Sequence, residues 1–220
     1  PSRGLGDVYK RQTESVPAVY IHSFTGNGED VWKACMELQM HPFNLVVIYD
    51  ADFDSLLTPW PAEGIRKGQP PFGGKADMHL KEIIDTVIPQ AEAHFPAPPA
   101  YSAMAGYSLA GLFTLWSAWH TDRFKRLACV SGSLWYPGFV AYINSNPMPS
   151  HPECIYFSLG DKESKTRHPL MSTVDACTRE AVGTISSLGI RTTFESNPGN
   201  HFTSPALRTA KAIRWMLADQ

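Results

Sequence analysis

Apolar positions along this chain alternate between short continuous runs and longer stretches with one repeating apolar face. Ala18–His22, Asn44–Tyr49, Ala100–Tyr107, Arg126–Ser131, Cys154–Leu159 and Ile190–Glu195 are of the first kind. Runs of this length and composition predict strands buried on both sides. Asp30–Met40, Asp77–Phe95, Leu109–His120, Thr173–Leu188 and Pro205–Leu217 are of the second kind and predict helices. In Asp77–Phe95 the stripe is Leu80, Ile83, Ile84, Val87, Ile88 and Ala91, and Pro89 is expected to kink the helix. Pro205 suits the first turn of the last helix. Strands alternating with helices predict an α/β fold: a mostly parallel sheet of about six strands, with helices on both faces, in one domain over residues 13–220. Asp50–Lys75, with Pro59, Pro61, Pro70 and Pro71, is expected to be a long irregular excursion, and long loops often carry function.

Composition narrows the class. The 220 residues are 43% hydrophobic and 18% charged, which suits a globular domain. A net charge of -2 without a basic run argues against a nucleic-acid partner. No apolar stretch approaches the roughly 20 residues that span a bilayer, and no secretory signal is visible, so a cytoplasmic location is expected. Cys35, Cys129, Cys154 and Cys177 lie far apart, so they read as free thiols and no metal site is expected. Ser2–Gln12 can be back-translated into a transposase-type sequencing adapter. Residues 1–12 are therefore expected to be a tail apart from the fold, and native N-terminal sequence is then expected to be missing.

Gly106-Tyr107-Ser108-Leu109-Ala110-Gly111 holds a G-x-S-x-G motif between a predicted strand and a predicted helix. That context is a nucleophile elbow, where small flanking residues allow a tight turn and Ser108 is lifted off the sheet. The bland reading is a helix N-cap serine. A serine nucleophile needs a base and an orienting acid, and on this architecture they follow in the order serine, acid, histidine. His201 lies just after the last predicted strand. The acid falls in Gly160–Arg167, where Glu163 is preferred and Asp161 is the alternative; a solvated loop beside a Ser–His dyad is the bland reading. The Leu109 N–H at the helix start is one oxyanion donor, and the loop after the first predicted strand supplies the second, from Phe24 or else Thr25. Trp60, Trp135 and Tyr107 are expected to line the substrate site. This chemistry needs no cofactor.

His22–Gly26, Leu80–Phe95, Gly106–Gly111, Ser131–Trp135, Gly160–Glu163 and Asn200–Phe202 together resemble an esterase family of the α/β-hydrolases. That family includes esterase D, enterochelin and salmochelin esterases and feruloyl esterase domains. The likeness runs from about Val16 to the last residue and looks closest to the siderophore-esterase branch with its small bacterial relatives. It implies an α/β-hydrolase fold and a small-molecule ester substrate. The family usually has a further strand ahead of Ala18–His22, so a missing strand and an open sheet edge are expected here.

The combined expectation is a serine hydrolase that cleaves carboxylic esters through an acyl-enzyme. Ser108 is the nucleophile, His201 the base, Glu163 the orienting acid, and Leu109 and Phe24 N–H the oxyanion donors. An acyltransferase or peptidase on the same residues is the near alternative, and a non-catalytic binding module of the same fold the distant one.

Overall fold

The computed structural model describes residues 5–9, 15–24, 26–49 and 52–218, the first group by backbone alone. The described residues form nine strands: β1 (Leu5–Tyr9), β2 (Ala18–Ser23), β3 (Asn44–Tyr49), β4 (Pro61–Ala62), β5 (Phe72–Gly73), β6 (Ser102–Tyr107), β7 (Arg126–Val130), β8 (Cys154–Gly160) and β9 (Arg191–Asn197). The helices are α1 (Glu29–Glu37), α2 (Phe53–Leu56), α3 (Ala76–Glu82), α4 (Ile88–Glu92), α5 (Leu109–Ser117), α6 (Phe139–Ser145), α7 (Val174–Ser187) and α8 (Pro205–Leu217). The main sheet runs β1-β3-β2-β6-β7-β8-β9, and β4 and β5 make a separate small hairpin. Six strands, from β3 to β9 in that order, are mutually parallel, as the strand–helix alternation predicts. The chain steps outward from β2 to β3, then returns to lay β6 on the other side of β2. That reversal opens a crevice at the carboxyl ends of β2 and β6, the usual ligand site of such sheets.

Strand side chains alternate between two cores. Tyr20, Val46, Ile48 and Met104 face one side, while Val19, Ile21, Leu45, Val47, Ala103 and Ala105 face the other. The first core is closed by α3 to α7, the second by α1 and α8, which pack on each other. Helix α5 is buried along its whole length, which explains why it shows no polar face. No helix among the described residues is long and apolar enough to cross a membrane.

Three elements differ from the sequence reading. First, β1 pairs antiparallel with the outer edge of β3, Val8 opposite Val46 and Tyr9 opposite Leu45. Leu5–Tyr9 thus covers the edge expected to be open, whose backbone groups would otherwise lack a strand partner. Second, the helix carrying Pro89 runs on past it through a wider turn. Ile83–Val87 widens into a π-helical turn, and the Ile88 N–H donates to the Ile83 carbonyl. A wider turn accommodates the missing Pro89 N–H and its ring. Third, Asp50–Lys75 is not wholly irregular, since it holds α2, β4 and β5.

Candidate active site

The elbow forms because its neighbours are small. A Cβ on Gly106 would stand 2.0 Å from the Ala110 carbonyl oxygen, and one on Gly111 would stand 2.9 Å from both the Gly106 oxygen and Gly132 Cα. Helix α5 therefore leaves β6 with almost no intervening chain. Ser108 takes φ 62° and ψ -122°, a strained conformation for a residue with a side chain. Backbone bonds hold it there: its N–H donates to Val130 O at 3.1 Å, and its carbonyl accepts the Ser133 N–H at 3.0 Å.

The three sequence-predicted reactive groups meet in line. His201 Nε2 lies 3.0 Å from Ser108 Oγ, and His201 Nδ1 lies 2.7 Å from Glu163 Oε2. With a carboxylate at Nδ1, the imidazole carries its proton there and leaves Nε2 to accept from the serine hydroxyl. Each residue hangs from a strand end: Ser108 after β6, Glu163 in the turn after β8, and His201 in the loop after β9. Asp161, the alternative acid, is elsewhere. Its Oδ1 accepts the Gly199 N–H at 2.7 Å and so ties the Glu163 turn to the His201 loop.

Glu163 is almost fully enclosed. Its Oε1 accepts from Ser131 Oγ at 2.7 Å, Gly160 N at 2.6 Å and Arg208 Nη1 at 2.9 Å. Burial pushes its pKa up, but the bonds from His201, Gly160 and Ser131 outweigh it and hold the carboxyl below its ordinary value. Arg208 was not singled out by the sequence. It is 2% exposed on α8 and also reaches Tyr107 Oη at 3.3 Å, Ser131 Oγ at 3.2 Å, Pro198 O at 2.9 Å and Asn200 O at 3.0 Å. The available signal was its place beside the apolar stripe of α8, where Thr209, Ala212 and Ile213 are buried too.

Leu109 opens α5, so its N–H has no intrahelical acceptor. Phe24 follows β2 and lines the same cavity as Ser108 and Leu109. Thr25 lies outside the described residues. Behind Phe24, His22 Nε2 stands 3.0 Å from His79 Nε2 inside the core. Burial, with His79 adding to it, pushes His22 well down, so it stays uncharged.

A cavity of about 480 Å³ opens on Ser108 and His201, and Trp135, Phe72, Ile65, Met171 and Val174 give it an apolar wall. Trp135 is thus where the sequence placed it. Two expected wall residues are not. Trp60 packs against Tyr136, Phe139 and Tyr142, with its Nε1 donating to Pro137 O at 2.9 Å. It sits on the core immediately before β4, against α6. Tyr107 donates its hydroxyl to the His201 carbonyl at 2.5 Å and supports the loop instead of facing the cavity. No group of three or more His, Cys, Asp or Glu among the described residues is placed to hold a metal ion. The cysteines are free.

An elbow serine, a histidine and a buried carboxylate on a parallel sheet define the class of α/β-hydrolase serine hydrolases. The chain belongs to the esterase family: the family model described as Putative esterase matches residues 5–188. No curated protein matches it in sequence. Its fold is similar to that of an IroE-like serine hydrolase from Shewanella oneidensis, at TM-score 0.76 and 16% identity over 95% of this chain and 73% of the other. The siderophore hydrolase EstA from Aspergillus nidulans is also similar, at TM-score 0.71 and 17% identity over 92% and 82% of the two chains. So is the enterobactin esterase FES from Shigella flexneri, at TM-score 0.65 and 17% identity over 94% and 54%.

Proposed function

We propose that the protein hydrolyses small carboxylic esters through an acyl-enzyme on Ser108. The observation that carries this reading is the continuous hydrogen-bonded line from Ser108 Oγ through His201 to Glu163, facing a cavity. Ser108 Oγ attacks the ester carbonyl while His201 Nε2 takes its proton. The negative oxygen of the tetrahedral intermediate is held by the N–H groups of Leu109 and Phe24. His201 then returns the proton to the departing alcohol, leaving Ser108 acylated. Water, deprotonated by the same imidazole, attacks the acyl carbonyl and frees the acid. Glu163 holds the imidazole in the correct tautomer and offsets its transient charge. The family and the hydrolase neighbours support ester chemistry.

The test is incubation with a fluorophosphonate, read by intact mass, beside an ester panel. One adduct on the parent, none on Ser108→Ala, and ester turnover only by the parent are the expected results. A folded parent that takes no adduct and cleaves no ester overturns the reading.

A further inference from the structure

The cavity has a second, polar wall whose charges are unequal in one respect. Asp52, Asp54 and Arg66 all line it. Asp52 faces Lys75 Nζ at 3.6 Å, and Asp54 Oδ2 accepts from Gln69 Nε2 at 3.0 Å. Glu163, deeper in, is held by His201 and Arg208. Among the described residues, Arg66 is the cavity-lining cation whose guanidinium makes no hydrogen bond or ion pair, although its backbone is fixed. Its carbonyl accepts the Gln69 N–H at 3.0 Å, and the Gln69 side chain accepts the Ile65 N–H at 3.2 Å. Arg66 is exposed and lines the same cavity as Ser108, so its planar fork is open to a group held there.

We infer that the ester taken at this site carries a carboxylate, distant from the scissile carbonyl, which pairs with Arg66. The inference rests on the reading of Ser108 as the nucleophile and adds the substrate class. A guanidinium matches a carboxylate through two parallel N–H donors. Asp52 and Asp54 on the same wall repel a phosphate dianion about twice as strongly as a carboxylate, which favours the singly charged group. The apolar wall of Ile65, Phe72 and Trp135 accommodates the chain or ring between the carboxylate and the ester.

Matched esters test it. The 4-nitrophenyl monoesters of succinic, adipic and suberic acids are compared with the same compounds capped as methyl esters, at low ionic strength, with Ser108→Ala as the blank. The parent is expected to prefer the free acid over its methyl ester by about tenfold in kcat/KM at one chain length, the size of one charge-assisted pair. Arg66→Gln is expected to erase that ratio. Arg66→Glu is expected to reverse it toward 4-nitrophenyl 6-aminohexanoate. A parent that takes the fluorophosphonate adduct and cleaves these esters without regard to charge overturns the carboxylate assignment alone, as does an Arg66→Gln enzyme with the parental ratio. A parent with neither adduct nor turnover overturns the esterase reading beneath it.

Discussion

Arg208 and Glu163 form a buried ion pair, 2.9 Å between Nη1 and Oε1, in which the carboxylate's other oxygen holds His201. The same guanidinium bonds the carbonyls of Pro198 and Asn200, which flank the loop that carries His201. One cation thus holds both the acid and the loop that carries the base.

Removing Arg208 would leave Glu163 buried with less compensation. Arg208→Met is expected to cost about 3–5 kcal/mol of stability in urea unfolding. Arg208→Lys is expected to recover only part, because a single ammonium cannot reach the carboxylate and both carbonyls in the plane of the fork. In both variants kcat falls more than KM rises, since the loss is in the alignment of His201.

Glu163 and Asp161 separate by function. Glu163→Gln is expected to lower kcat by roughly 10⁴-fold, the effect of removing the orienting carboxylate from such a constellation. Asp161→Asn weakens only the Gly199 N–H contact, so it is expected to cost about 1 kcal/mol and leave the serine reactive. Fluorophosphonate labelling rates of the two variants check this directly.

Acid should weaken the fold through Glu163. Its folded pKa lies below the ordinary 4.5, so the unfolded chain binds its proton more tightly. The stabilisation is complete above that ordinary value and disappears as pH falls through the depressed one. The stability difference between the parent and Glu163→Gln, measured in urea from about pH 6 downward, is expected to shrink across that window. A difference that grows on acidification would contradict the hydrogen-bonded carboxylate.

The elbow tolerates no side chain at Gly106. Gly106→Ala places a methyl 2.0 Å from a backbone oxygen that cannot move without shifting α5. A loss of about 3 kcal/mol and of activity is expected in thermal unfolding and ester assays. Gly183, inside α7 with open space around its α-carbon, is the control. There alanine is expected to stabilise by about 0.5–1 kcal/mol.

Much of this arrangement was legible because each reactive residue follows a strand, and apolar runs mark strands plainly. Ser108, Glu163 and His201 were found by their place in that grammar. Arg208 was not, because an arginine in an amphipathic helix ordinarily reads as solvated surface; its role depends on three loops from distant parts of the chain. Trp60 and Trp135 were indistinguishable for the same reason. Both lie in loops near strand ends, and only tertiary packing separates them: Trp60 lies against Tyr136, Phe139 and Tyr142, and Trp135 lines the cavity. Tyr107 precedes the nucleophile and so looked like a wall residue, whereas its hydroxyl bonds the His201 carbonyl. β1 is not legible because Leu5–Tyr9 carries no run of apolar residues, and its pairing depends on the distant edge of β3.

His201 hangs from β9, the terminal strand of the sheet, which among the described residues pairs on one side only, with β8. Terminal strands open more readily than central ones, in local events that leave the rest of a domain intact. The base is therefore mounted on a part of the sheet suited to early release, while the serine sits on the central strand β6. Amide hydrogen exchange along Arg191–Asn197 would then run ahead of that along Ser102–Tyr107, and the reactivity of Ser108 would follow the faster clock.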